Sequence, residues 1–554
     1  MKRLIMGLVG KPLAKEFERT SRDVAGTQRQ VLDRLLASCR DTEFGRDHRF
    51  ADIRSVEDYR SAVPIRDFEG HRPYVQKMMN GAADVLFPGR PLIYNTTSGT
   101  SAAPKMIPIS AEYLNTEHQR ISRLWLYSCL RDNPGLFSGK CFSAIGPAEE
   151  GVVEDGTPYG SISGVIYRTV PSVLKDVHSA PYPIYCIEDY DKKYYGMMRF
   201  GLWDDVSYII AANPSSLLQF HKVVTESFDD LVEDIRRGTL REDVKAALPP
   251  GGWEEVQAQL VPDPERADAL FALRQQHGEG LRPRHYWPNL RCINTWKQGN
   301  CRQILPKLDG YFPPETALRE FGYQASEARA GLALGNDWDY SALAAHVYFF
   351  EFIEESERDS DAPEVLLAHQ LELGKRYYVS ITNATGLYRY DINDIIEVKG
   401  FHNQLPLFEF VRKGDGFTSL TGEKLTETQV IQAVERTGEQ LGAGVENFCL
   451  CCDEERLTYT MYLELAAGTS PGTFDEFAPA FDAVLQEINP EYEAKRGSKR
   501  LAAPGFTQLP AGSYELVKNA LIERGMAREG QYKVVYLQRK PKILEVYAEL
   551  TAQP

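Results

Sequence analysis

What most restricts the fold of this chain is a change of rhythm along it. Between residues 140 and 295, short apolar runs of strand length (140–146, 289–295) alternate with amphipathic stretches of helical period. Strands that alternate with helices imply crossover connections and a parallel sheet, so this part is expected to be α/β. Past Arg412-Lys413-Gly414-Asp415-Gly416 the order changes: helical patterns at 426–441, 474–488 and 514–524 surround a hairpin pattern at 448–452 and 457–465. That is the pattern of a smaller α+β domain, and the glycine-flanked charged link before it can act as a hinge. A chain of 554 residues also exceeds what one hydrophobic core ordinarily holds. The expected division is therefore a large multi-sheet domain over 1–413 and a small mobile domain over 414–554.

Further helices are expected at 24–40, from Ser110 through Leu130, at 266–280, and as one continuous element at 213–235, where Leu217, Phe220, Val224, Phe228, Leu231 and Ile235 keep helical spacing. Residues 44–65 read as turns and short helices. The N-terminus has a charged start and a short apolar run, but charge returns at Lys11 with no small-residue cleavage site, so it reads as an amphipathic helix. No stretch approaches the about 18 apolar residues of a membrane span, and none is expected. With 63 Lys and Arg against 78 Asp and Glu the formal charge is −15, and no basic run marks a nucleic-acid footprint. Nine cysteines, an odd number scattered over a long chain, fit reduced thiols in the cytoplasm. Cys449, Cys451 and Cys452 lack a neighbouring Cys or His pair and read as buried strand residues rather than zinc ligands.

Any acidic protein that handles phosphate must concentrate donors locally, and one stretch does so. An apolar run with strand character (Val85, Leu86, Phe87, then Leu92, Ile93) leads into Tyr-Asn-Thr-Thr-Ser-Gly-Thr-Ser-Ala-Ala-Pro-Lys-Met-Ile-Pro at 94–108. Hydroxyls and backbone N–H groups can bond phosphate oxygens, Gly99 permits close approach, and Lys105 adds a point charge. It is not a Walker A loop, because Ala103 and Pro104 precede Lys105 and Met106 follows it. A polar surface turn is the other reading of the same residues. The glycine-punctuated run at 156–164 is either a pocket-lining loop or a connector. Gly-Tyr-Gln-Ala-Ser-Glu at 322–327 sets a carboxylate beside a hydroxyl and an aromatic ring, a strand follows at 346–353, and a strand and turn lead to Leu-Tyr-Arg-Tyr-Asp-Ile-Asn-Asp at 387–394. Taken singly, Glu327 reads as a surface carboxylate, Asp394 as a turn or cap residue, Tyr323 as a core aromatic and Lys533 as a solvated strand lysine.

Taken together and in order, these stretches resemble the GH3 family of acyl-acid amido synthetases, in its bacterial-type form. This is a branch of the adenylate-forming superfamily that includes firefly luciferase and acyl-CoA synthetases. Residues 97–108 resemble its first nucleotide motif, 323–327 its second, of Y-x-A-S-E type, and 386–394 its third, of Y-R-x-G-D type. Residues 158–164, 213–218, 349–353, Gly400-Phe401-His402-Asn403 and Gln531-Tyr532-Lys533 are also similar to family sequences. The resemblance implies a large N-terminal domain and a small mobile C-terminal one with ATP between them. It implies that Ser98, Gly99, Thr100 and Ser101 face the ATP phosphates and that Tyr323 and Ser326 contact the nucleotide. Glu327 would hold Mg²⁺, Asp394 would bind the ribose hydroxyls, and Lys533 would reach in during adenylation. Lys105 matches the lysine of the first motif.

The implied reaction joins a carboxylic acid to an amine, here an amino acid, through an acyl-AMP, with no nucleic acid or membrane as partner. Three positions depart from the family pattern: Ala102 and Asn393 replace glycine and Asp391 replaces arginine. Asn393 can still take a left-handed turn, whereas an anion at 391 would weaken ATP binding unless it points to solvent. The alternatives are a thioester-forming ligase that serves CoA or a carrier protein, against which the chain stops soon after Lys533, and an inactive nucleotide-binding homologue.

Overall fold

The computed structural model of the protein describes residues 2–96, 105–169, 177–358, 360, 362–414, 417–418, 420–421, 423, 425–453, 456–470, 472–497, 501–527, 532, 534–538 and 541–552. Contacts divide the chain into two compact units, the first running to Val411 and the second from Arg412 to Pro554. In chain order the strands of the first are β1 (Ile93–Thr96), β2 (Met106–Ile109), β3 (Lys140–Ser143), β4 (Gly151–Val152), β5 (Pro158–Gly160), β6 (Val206–Ile210), β7 (Cys292–Thr295), β8 (Ala317–Glu320), β9 (Gly331–Leu332), β10 (Ser341–Leu343), β11 (Phe349–Glu354), β12 (Val365–Leu367), β13 (Arg376–Thr382), β14 (Tyr390–His402) and β15 (Leu405–Lys413).

The alternating region forms the expected parallel sheet, in the order β3-β6-β7-β8. Its inner strands are buried along nearly their whole length because both faces are covered. Helices Tyr190–Trp203, Ser215–Glu226, Phe228–Arg237 and Pro264–His277 pack there, with Phe142, Ile209 and Ile293 meeting Phe220, Leu231 and Leu270 in one core. The continuous helix expected at 213–235 is two. Ser227 leaves helical geometry at φ −121° while its N–H closes the first helix on Val223, and left-handed Gly238 closes the second.

The largest sheet, β12-β11-β13-β14-β15-β10-β9, is built differently. Its β11–β12, β11–β13, β13–β14, β10–β15 and β9–β10 pairs are antiparallel. Its strands follow one another through turns without intervening helices, and only antiparallel neighbours can be joined so briefly. A smaller sheet, β2-β1-β5-β4, holds the antiparallel pair β1–β2, with Thr96 opposite Met106, and β5 runs parallel to β1. The strand character expected at Val85, Leu86 and Phe87 is not realised. These residues are buried, but their carbonyls serve the Phe44 N–H and the Tyr388 hydroxyl rather than a ladder. The glycine-rich run at 156–164 contains β5 and the start of helix Ile162–Thr169. A Cβ on Gly160 would sit 2.3 Å from the Ala148 carbonyl oxygen, so close packing on the backbone of Ala148 and Glu149 requires glycine there.

The second unit carries β16 (Phe417–Thr418), β17 (Leu425–Thr426), β18 (Val445–Asp453), β19 (Thr458–Leu465), β20 (Gly505–Gln508) and β21 (Leu537–Gln538), with a sheet in the order β20-β19-β18-β21. The expected hairpin is β18–β19, and helices Glu427–Leu441, Thr473–Ile488 and Ser513–Glu523 lie where the sequence pattern puts them. Thr426 and Gln429 form a reciprocal capping box at the first of these. Cys449, Cys451 and Cys452 are buried on β18. Among the described residues, no helix is long and apolar enough to cross a membrane.

Candidate active site

The loop over 321–330 leaves β8 of the parallel sheet and enters β9 of the antiparallel one, carrying Tyr323, Ser326 and Glu327 between them. Its shape is fixed largely by side chains from elsewhere. Glu320 accepts the Lys297 and Gly322 N–H groups at 2.7 and 2.8 Å, and burial outweighs those bonds to push its carboxyl up to about 7. The Tyr323 N–H donates to Ser341 Oγ at 3.1 Å, and its carbonyl accepts from Gly331 at 2.9 Å. Ala325 and Ala328 bond each other reciprocally, which puts Ser326 and Glu327 at a tight tip. Asn95 Nδ2 on β1 donates to the Ser326 carbonyl, and Asn383 Nδ2 after β13 donates to the Glu327 carbonyl, both at 2.9 Å.

Strand β14 supplies the facing groups. The Tyr390 hydroxyl donates to Glu327 Oε1 at 3.1 Å and accepts from Lys105 Nζ at 3.4 Å, and the Tyr323 hydroxyl donates to Asp394 Oδ2 at 2.5 Å. Burial and the adjoining carboxylate push each phenol well above its ordinary range, so both hydroxyls stay protonated donors. Glu327 is 6% exposed and Asp394 1%. Among the described residues no basic side chain forms an ion pair with Glu327, which leaves a buried carboxylate held only by a neutral phenol. The Tyr323 ring stacks on Phe410 and meets Phe408 edge-on.

Asn393 takes the left-handed conformation, φ 57°, as its place in a glycine position requires. Asp391 does not point to solvent, the condition set for it above, but its charge is met by Arg358. A register shift and left-handed Asn393 separate Asp391 from Asp394 on β14, and the charge of Asp391 adds to the rise of the Tyr323 and Tyr390 phenols. Asp391 is 8% exposed and paired with Arg358, whose guanidinium lies 4.4 Å from the Tyr378 ring centroid. Next to it, Arg389 (φ 47°) is locked by Glu351 through two bonds of 2.6 and 3.1 Å, and Arg60 reaches the same carboxylate at 2.9 Å.

The structure thus brings Lys105, Tyr323, Ser326, Glu327 and Asp394 together, Ser326 through its backbone. Ser98, Gly99, Thr100, Ser101, Ala102 and Lys533 lie outside the described residues. Motif reading overlooked Asn95, Asn383 and Tyr390. Each sits at the end or start of a strand adjoining a motif, and that position was the available signal.

Three family models match the chain in order: the GH3 family N-terminal domain over residues 13–317, the central domain over 341–413 and the C-terminal domain over 428–542. The chain is 26% identical over 549 residues to the indole-3-acetic acid-amido synthetase GH3.3 of Arabidopsis thaliana, covering 94% of this chain and 90% of that protein. It is 26% identical over 545 residues to the jasmonoyl–L-amino acid synthetase GH3.5 of Oryza sativa subsp. japonica, covering 92% of each. Among solved structures, the GH3.15 acyl acid amido synthetase superposes with a TM-score of 0.83 at 21% identity, over 97% of this chain and 96% of that one. A 2-hydroxyisobutyryl-CoA ligase gives 0.55 at 10% identity, over 97% and 94%. Both share this mixed α/β multi-sheet fold. The two sequence relatives come from plants and lend no support to the bacterial-type placement.

Proposed function

Because the chain belongs to the GH3 family, we propose that it is an ATP-dependent ligase that adenylates a carboxylic acid and joins the acyl group to an amino acid as an amide. What carries the proposal is the match of all three family models in order, together with relatives named as amido synthetases along almost their whole length. In the first step the acid's carboxylate attacks the α-phosphorus of ATP and pyrophosphate leaves. In the second the amine attacks the acyl carbonyl, AMP leaves, and the amine gives up a proton.

The residues present suit Mg²⁺. Magnesium is commonly held by one or two carboxylates and the substrate's phosphates, and Glu327 is a buried carboxylate with no ion pair among the described residues. Glu327 would hold the metal, whose charge offsets that of the phosphates. Tyr390 and the Asn95 and Asn383 amides orient that carboxylate and its backbone, so little reorganisation accompanies the reaction. Asp394, fixed by Tyr323, would accept the ribose hydroxyls, and Lys105, Ser98, Gly99, Thr100 and Ser101 would face the phosphates. Lys533 would counter the charge that grows at the α-phosphorus. We place the hinge at 413/414. The contact division after Val411 and the end of the central family model at 413 both support it. A cytoplasmic location is supported by the nine cysteines, all among the described residues, which form no disulfide.

The test is acid-dependent ATP–pyrophosphate exchange, followed by AMP release with an amino-acid mixture or CoA as acceptor. Exchange with release driven by amino acids supports the proposal. Release driven by CoA alone, or no exchange with any acid, overturns it.

A further inference from the structure

One strongly charged group near Glu327 has no part in the chemistry above. Arg329 is 5% exposed, and its guanidinium carbon lies 4.4 Å from the Trp125 ring centroid and 5.5 Å from that of Phe321. Its Nη1 donates to Ser122 Oγ at 3.0 Å, but among the described residues the buried Nε and Nη2 find no hydrogen-bond partner, and neither does the indole N–H of Trp125 beside them. Arginine and tryptophan side chains only donate. The cluster therefore gathers unused donors and a full positive charge, and among the described residues no carboxylate pairs with it. His118, whose Nδ1 is 3.2 Å from the same Ser122 Oγ, adds no charge of its own: burial, and then Arg329, hold its imidazole down to about 3.

Isolated buried charge is costly unless something supplies its counter-charge. That partner is not the carboxylate which reacts. Glu327 is tied to Tyr390, Asn383 and, through Tyr390, Lys105, whereas Arg329 is tied to Ser122 and Trp125 of helix Gln119–Asp132, and the two sets share no residue. A residue that gripped the reacting carboxylate would also lose its ion pair as the acyl phosphate formed, stabilising the ground state alone. From the unpaired donors of Arg329 and Trp125 we infer that the acid adenylated here carries a second anionic group, in the simplest case a second carboxylate, which Arg329 holds while the first reacts. The substrate class is then a dicarboxylic acid. This rests on the ligase reading above.

The experiment uses the full-length protein and matched probes: hexanoate against adipate, octanoate against suberate, and benzoate against the three benzenedicarboxylates. Pyrophosphate exchange by the wild type should favour at least one diacid over its monoacid by roughly a hundredfold or more in kcat/KM, since a site with buried donors rejects the analogue that leaves them unpaired. Arg329→Met should collapse that ratio. In the absence of ATP, the same diacid should raise the wild-type melting temperature and leave that of the variant unmoved. Without any acid the variant should melt at or above the wild type, because a purely structural arginine would lower it. Equal or better use of monoacids by the wild type overturns the inference while leaving the ligase reading intact. Arg329-dependent binding of a diacid without exchange on any acid overturns the ligase reading instead. If Arg329→Met does not fold, the wild-type ratio and its melting shift decide alone.

Discussion

Replacing Glu327 with glutamine keeps the shape of the side chain and removes its charge, and the structure fixes the sign of two separate effects. In the resting protein the carboxylate is buried, and among the described residues the side chain bonded to it is a neutral phenol. Losing that charge-assisted bond costs about 1.5–3 kcal/mol, and relief of the desolvation of an unpaired ion returns several kcal/mol, so stability should hold or rise. Catalysis should fall by about 3 kcal/mol or more, a hundredfold or larger loss of pyrophosphate exchange at ordinary Mg²⁺, because an amide binds a hard cation poorly. Glu351 is the contrast. It is as buried, but three bonds from Arg389 and Arg60 surround it. Glu351→Gln would strand buried guanidinium groups and should cost about 3–5 kcal/mol of stability. Melting curves and exchange rates on both variants, with Mg²⁺ titrated, separate a metal carboxylate from a structural one. A Glu327→Gln protein that melts as far below wild type as Glu351→Gln, or that exchanges near-normally, would refute the reasoning.

Asp394→Ala should raise the KM for ATP about 5- to 150-fold, the 1–3 kcal/mol of an acceptor lost to buried hydroxyls; an unchanged KM in a folded protein contradicts the ribose role. Glu117 accepts the Ala384 N–H at 3.1 Å and Arg34 at 3.0 Å, yet burial pushes its carboxyl up to about 7. A raised carboxyl stabilises the folded state most fully below its unfolded value of about 4.5, and the contribution fades as pH rises through about 7. Glu117→Gln should therefore flatten the fall in stability between those values, by up to on the order of 3 kcal/mol; denaturant titrations with unchanged slopes would count against it. Lys533→Ala should cripple acyl-AMP formation but spare amide formation from supplied acyl-AMP, because aminolysis builds its charge at the carbonyl. Equal loss in both single-turnover rates would remove Lys533 from that role.

The sequence shows the groups that carry chemistry better than the groups that hold them. Glu327, Tyr323 and Asp394 stand in local motifs, and the structure brings them together. Asn95 and Asn383 are single amides far apart in the chain, on β1 and just after β13 of two different sheets, and only the tertiary fold brings them to the same loop. The partner of Asp391 was not legible, because Arg358 is thirty-odd residues distant in sequence. Nothing in the sequence singles out Arg329, since burial without a partner among the described residues cannot be read from composition. Local periodicity located the helices of the second unit well, because caps such as Thr426 with Gln429 lie within one turn. It missed the break at Ser227, where apolar spacing runs through unchanged.

The loop that joins the two sheets has a consequence for how the protein acquires its function. In the antiparallel sheet β13–β14 and β11–β13 lie close in sequence but β10 and β15 are separated by residues 344–404, and in the parallel sheet β3 and β6 are separated by residues 144–205 and β6 and β7 by residues 211–291. Closing long segments is the slow part of folding. Both sheets of the first unit therefore wait on long closures. Since Tyr323 and Glu327 hang between β8 and β9, they meet Asp394 and Tyr390 only once both sheets have formed, and the candidate site is expected to order late in folding.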